Sequence, residues 1–303
     1  MITNQPGIEL VDVRLDHPRG GVPLVSEANM RVTGGERVLI VGAAGVGTSR
    51  LVATVLGEVA PGAGRVEVLG HDVGKLRRSS LRRLRRRVGI VPQDLCLLED
   101  RSAQLNVVLP LEIDGIPRSV SIVRAARVLA LLGLEDEAAL PVDRLSMAAR
   151  QRVAMARELV REPELLIADH PTSAQDAAGA ELVCGAIADA AQRGAACVVF
   201  GRDPALRAIA ARDRWRQLAI VHGSLRPLAG LGLDGAALDE LVDASAPPAA
   251  VALPDVVVPA EIANVLPFPI RDELRGAAIP AAALPGRAPS TVAGAAARPA
   301  GVR

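Results

Sequence analysis

Residues 42–49, Gly-Ala-Ala-Gly-Val-Gly-Thr-Ser, constrain this chain more than any other stretch. They follow the apolar run Val38-Leu39-Ile40-Val41, which predicts a buried strand. Behind them Leu51, Val52, Val55 and Leu56 recur at helical spacing. A strand, a glycine-rich turn and a helix start make backbone N–H groups converge on an anion, and the helix dipole helps to hold it. A phosphate-binding loop needs Gly, four residues, Gly, Lys and then Ser or Thr. Gly42 and Gly47 fit, Ala43, Ala44, Gly45 and Val46 fill the interval, and Ser49 offers a hydroxyl to magnesium. The lysine position holds Thr48.

Composition bounds the rest. Length alone gives a prior of about two domains. Half of the 303 residues are hydrophobic but only 1% are aromatic, so the core is built from Ala, Val, Leu and Ile. The formal net charge of +1 favours neither nucleic acid nor an acidic partner. Lys75 is the only lysine, a bias that would explain arginine at a lysine position but not threonine. Cys96, Cys184 and Cys197 lack ligand-type spacing and read as small buried hydrophobes in a reducing compartment. No signal-peptide pattern opens the chain, and no apolar run reaches the roughly 18 residues that span a bilayer. A soluble, cytoplasmic chain is expected.

Along the chain, Ile8 to Leu15 reads as an edge strand and Val66 to Val68 as a short one. Ser79 to Arg87 is very basic; a solvated helix face is the plain reading, and no aromatic accompanies it to stack on bases. Strands are predicted at 88–91, 165–168, 196–200 and 218–221, the last of these before a turn at His222-Gly223. Helices are predicted at 121–132, 145–160 with Ser146 as N-cap, and 178–192. Strands alternating with helices, with the loop at a strand's C-terminal end, predict a doubly wound α/β sheet. Beyond Pro227 the chain is rich in Ala and Pro. Residues 1–227 therefore read as the folded domain and 228–303 as a mostly disordered tail, with short helices near Leu238 and Glu273.

Five further pieces come after the loop in fixed order: VGIVPQD with Gln93, LLEDRSAQLNVVLPLEIDG, LSMAARQRVAMARELV, PELLIADHPTSAQD and VVFGRDPAL. Together they resemble the nucleotide-binding subunit of an ABC transporter over residues 7–226, with the FtsE cell-division and lipoprotein-release (LolD, MacB) branch the nearest look. The resemblance implies a P-loop nucleotide-binding domain with a helical signature subdomain, binding ATP with magnesium. It implies two subunits, identical or not, closing head to tail, and a cytoplasmic location at the membrane through an integral permease-like partner. Gln93 and Asp169 would join residues 42–49 at the nucleotide, with Ser49 and Asp169 holding the metal.

The same resemblance marks departures at the reacting positions. Thr48 replaces the lysine, and His170 stands at the catalytic glutamate position. Arg202 stands at the switch-histidine position, and the signature, which acts in trans, reads Ser146-Met147-Ala148 without its glycines. The adenine-stacking aromatic near the first strand has His17 as its nearest substitute. Losing one preorganised stabiliser of this kind costs roughly 10²–10³ in rate. His170 could serve as a base near neutral pH. The sequence therefore leads to weak nucleotide binding with hydrolysis weak or lost, and to a slow ATPase driving an FtsX-like or export complex as the alternative. Leu97, Leu98, Val107, Val108, Leu109 and Leu111, rimmed by Glu99 and Asp100, are expected to form the partner's docking groove or, in part, a subdomain core. No nucleic acid is expected.

Overall fold

The computed structural model describes residues 6–17, 23–43, 47–232 and 235–244. Three apolar runs form adjacent parallel strands, β3 (Arg37–Val41), β8 (Ala196–Phe200) and β7 (Leu165–Asp169), with β6 (Val88–Val91) beyond β7 and β9 (Arg216–Val221) beyond β3. Their side chains alternate between two cores. Leu39, Val41, Leu166, Ala168, Cys197 and Val199 face one, while Val38, Ile40, Leu165, Ile167, Val198 and Phe200 face the other. Burial on both faces is why these strands read as continuous apolar runs.

The second half of the sheet is antiparallel, so the architecture is mixed rather than doubly wound throughout. β1 (Pro6–Leu15) pairs with β2 (Val25–Thr33) on one side and β4 (Ala63–Val68) on the other, with β5 (His71–Asp72) outside β4. β1 is thus interior, not an edge: Ile8, Leu10, Val13 and Leu15 are buried, and both its ladders are used. β9 is not the last strand. The His222-Gly223 turn leads into β10 (Ser224–Pro227), which pairs back on β9 and meets β2 at Ser224 and Glu27.

Helices α1 (Thr48–Val55) and α2 (Arg78–Arg85) contribute Leu51, Val55 and Leu84 to the core shared with the antiparallel strands. The opposite core is covered by α3 (Ala103–Ile113), α4 (Arg118–Leu131), α5 (Met147–Leu159), α6 (Ala177–Gln192), α7 (Pro204–Arg212) and α8 (Gly235–Ala244). The boundary expected at Pro227 falls too early. Leu238 and Val242, four residues apart on α8, are fully buried in this core, which one helical face achieves and a solvated tail would not. The helix expected near Leu238 is α8, and the one near Glu273 lies outside the described residues.

Candidate phosphate-loop site

The loop after β3 leaves the sheet at Gly42 and Ala43, and Ala44, Gly45 and Val46 lie outside the described residues. Gly47 re-enters as the N-cap of α1 at φ 104°, and its carbonyl accepts from Leu51 N at 2.8 Å. A Cβ there would meet the Leu24 side chain at 3.0 Å. Gly47→Ala is therefore strained twice, by φ and by contact. It should cost about 1–3 kcal/mol, read as a lower thermal midpoint and as weaker ATP binding in a titration. An unchanged midpoint would show that the loop relaxes freely.

Thr48 opens α1, and its hydroxyl donates to Asp169 Oδ2 at 3.2 Å. Asp169 ends β7 and is 6% exposed. Its other oxygen meets His170 Nδ1 at 2.7 Å. His170 sits at φ 51°, uncommon for a residue with a side chain, and its backbone N–H donates to Phe200 O at 2.8 Å. The residues at the lysine and glutamate positions thus both turn onto one carboxylate. The loop's sequence holds no lysine, and no second acidic residue adjoins Asp169 on its C-terminal side.

Ser49, Gln93 and Asp169 line one open groove of about 570 Å³ with Val52, Pro92 and Asp94. Gln93 follows β6 as expected, so the structure brings together the hydroxyl, the amide and the carboxylate assigned to metal and nucleotide. Arg202 is placed elsewhere. Its guanidinium binds Asp243 of α8 through both nitrogens, at 2.6 and 3.1 Å, which raises its own pKa and lowers that of the Asp243 carboxyl. The expected role at the switch-histidine position is corrected accordingly, because the arm is committed to α8. His17 lies just past β1, partly buried. Ser146 is the N-cap of α5 and accepts from Ala149 N at 3.1 Å, with Met147 exposed beside it.

Residues 25–173 match the ABC transporter family model. The chain carries an ATP-binding domain of the ABC transporter family. Among curated relatives, the methionine import ATP-binding protein MetN of Brucella abortus (strain 2308) is 37% identical over 174 residues, 57% of this chain and 47% of that protein. MetN of Caulobacter vibrioides is 37% identical over 181 residues, 60% of this chain and 54% of that protein. The chain spans about half the length of the curated relatives it matches. Of solved structures, the dimeric post-hydrolysis ATP-binding cassette MJ0796 bound to ADP and Pi gives a TM-score of 0.65 at 26% identity, covering 72% of this chain and 96% of that one. A likeness in fold alone is given by cbiO1 of Clostridium perfringens, part of the ABC transporter complex cbiONQ, with TM-score 0.62 at 22% identity, covering 73% of this chain and 87% of that one. These curated relatives are named as methionine import ATP-binding proteins, so the likeness is to the ABC family at large and not specifically to the FtsE, LolD and MacB branch.

An ABC domain binds ATP with magnesium, and the groove supports the metal part of that requirement. Hard oxygen donors from Ser49, Gln93 and Asp169 face one open space, as magnesium prefers, with phosphate oxygens and water completing the shell. When bound, the ion neutralises phosphate charge. The protein's own cationic share of that work is missing at Thr48.

Two further contacts of the ABC domain escape sequence reasoning. Gln151 on α5, 6% exposed, donates to Ser173 Oγ at 2.8 Å and His170 O at 3.3 Å, and accepts from Ala174 N at 3.1 Å and Gln175 Nε2 at 3.0 Å. It ties the signature helix to the segment after His170. Arg157 on the same helix donates to Cys96 O at 2.6 Å and Leu95 O at 2.9 Å. Leu95 and Cys96 stand at φ 58° and 46°, so one guanidinium holds a strained turn next to the Gln93 loop. Only spatial neighbours reveal either residue. The turn leaves Cys96 exposed, not buried as expected, while Cys184 and Cys197 are buried.

The expected docking groove divides. Val107, Val108 and Leu111 are buried core, and Leu97 packs partly against it. Leu98 and Leu109 are exposed. Leu109 joins Leu105 and Ile113, which the sequence pattern does not single out, in an exposed apolar stripe at i, i+4 and i+8 along α3.

Proposed function

We propose that this chain is the ATP-binding subunit of a membrane transport complex, docked on an integral permease-like partner and paired with a second ATP-binding subunit, the same or different. Nucleotide binding is weak and hydrolysis is weak or lost. The observation that carries this reading is the Asp169 carboxylate held between Thr48 and His170, where the family's pattern has a lysine and a glutamate. Its location follows from the partner, at the cytoplasmic face of the membrane. The methionine-import relatives support an importer's permease over the FtsX-like or lipoprotein-release permease expected from the sequence.

Docking is the part open to a direct test. The stripe of Leu105, Leu109 and Ile113 is apolar and exposed, as a surface awaiting a partner helix would be. Glu99 and Asp100 stand exposed nearby to set orientation and on-rate. Leu105→Asp with Leu109→Asp should abolish co-purification with an integral membrane protein from the chain's own cells, while thermal stability stays within a few degrees because both sites face solvent. A double variant that stays bound, or a wild type recovered only as free protein, would overturn the reading.

A second reading rests on His170. With Nδ1 held by Asp169, the ring's Nε2 remains available to accept a proton from water, which supports a slow ATPase. Phosphate release that vanishes in His170→Ala would select it.

A further inference from the structure

We propose that the arginine fan of α2 is an electrostatic contact for the anionic phospholipid headgroups of a bilayer. Arg77, Arg78, Arg82 and Arg83 are exposed and have no acidic partner among the described residues. Their neighbours in the same segment are matched: Arg85 faces Glu58, Arg86 faces Asp114 and Arg87 forms a two-nitrogen pair with Glu164. Helical spacing explains the division. Leu81 and Leu84 turn to the core, which leaves Arg78, Arg82 and Arg83 on the solvent side of the helix.

At its N-terminal end the fan does not serve the helix that carries it, whereas Arg82 and Arg83 lie in the last turn, where cations suit the dipole but repel one another. Arg77 is the N-cap of α2 and makes no side-chain capping bond, and the first turn has no acidic residue. Cations at that end oppose the helix dipole, and like charges within one or two turns repel. A helix selected for stability alone would carry acids there. External anions relieve both penalties.

Shape and setting decide between anions. His71, Ser80 and Arg83 rim a cleft floored by Leu76 and Leu84, suited to a phosphodiester with apolar groups attached. Single-stranded nucleic acid would need a stacking surface, and the two aromatics among the described residues, Phe200 and Trp215, are buried. The patch also continues the docking face. Arg86 shares Asp114, the C-cap of α3, with Arg161, so α2 abuts the end of the helix bearing Leu105, Leu109 and Ile113. The charge reading stands without a permease. It shares with the proposed function only the membrane.

The test uses the purified full chain and no partner. It should co-sediment with vesicles containing phosphatidylglycerol but not with pure phosphatidylcholine vesicles, and binding should fall as salt is raised. Near an anionic surface each arginine is worth about fivefold in partitioning. Arg82→Gln with Arg83→Gln should therefore lose at least about tenfold, and charge reversal to Glu more, with circular dichroism unchanged. Arg124→Gln with Arg127→Gln on α4 should bind as wild type. Leu105→Asp with Leu109→Asp should also bind as wild type, so a failure of docking is read separately. Equal binding to neutral vesicles, or α2 variants that bind as wild type, would overturn the proposal. So would fan-dependent binding to a single-stranded oligonucleotide without vesicle binding.

Discussion

Restoring both missing groups, Thr48→Lys with His170→Glu, is expected to raise phosphate release at least about 10²-fold over wild type. Either change alone should gain much less. The lysine ammonium would bring a fixed charge to phosphate oxygens that Thr48 meets with one neutral hydroxyl, now spent on Asp169. The glutamate would orient and polarise water where the His170 ring leans back on the same Asp169 carboxylate. Groups that act as one unit give non-additive effects, so the pair should exceed the product of the single gains. The lysine variant alone should tighten ATP in a binding titration, because the charge acts in the ground state as well. A wild-type turnover within the ordinary range of about 1–10³ per second would sink this prediction. So would a double variant no faster than the better single one.

Deleting residues 228–303 should destabilise the domain strongly, whereas deleting only residues 245–303 should leave its thermal midpoint nearly unchanged. The composition after Pro227 suggests one dispensable tail, but α8 fills the core with Leu238 and Val242, which are 1% and 0% exposed. Leu238→Ala alone should cost about 2–5 kcal/mol. For a domain of this size that is a fall of about 5–15 °C. The longer deletion also removes Asp239 and Asp243, which hold Arg207 and Arg202 in two-oxygen pairs. Arg202 lies on the loop after β8, next to the strand that pairs with β7 and Asp169. Loss of α8 therefore also frees the Arg202 guanidinium, and Asp243→Ala separates that effect from stability, since the carboxylate is exposed. Equal midpoints for the two deletions would show that α8 does not complete the core.

The local order of the site is legible in the sequence because it depends on neighbours along the chain. The run 38–41, the glycines at 42 and 47 and the helical spacing after them define a strand, turn and helix without reference to the rest of the chain. The same holds for β6, β7 and β8, whose burial on both faces writes an unbroken apolar run, and for Ser146, whose capping bond reaches only three residues. Arrangements that join distant segments are decided by the tertiary structure. β1 looks the same as an edge or an interior strand until β4 arrives beside it, because one strand's pattern carries no record of its second neighbour. Leu109 and Leu111 are equivalent in composition, and only packing of α3 on α4 and α5 turns one outward and the other into the core. Arg202 meets Asp243 across 41 positions, and Arg157 meets Leu95 across 62. A charge or a strained turn attracts whichever partner the fold brings within about 3 Å, and sequence spacing does not encode that distance.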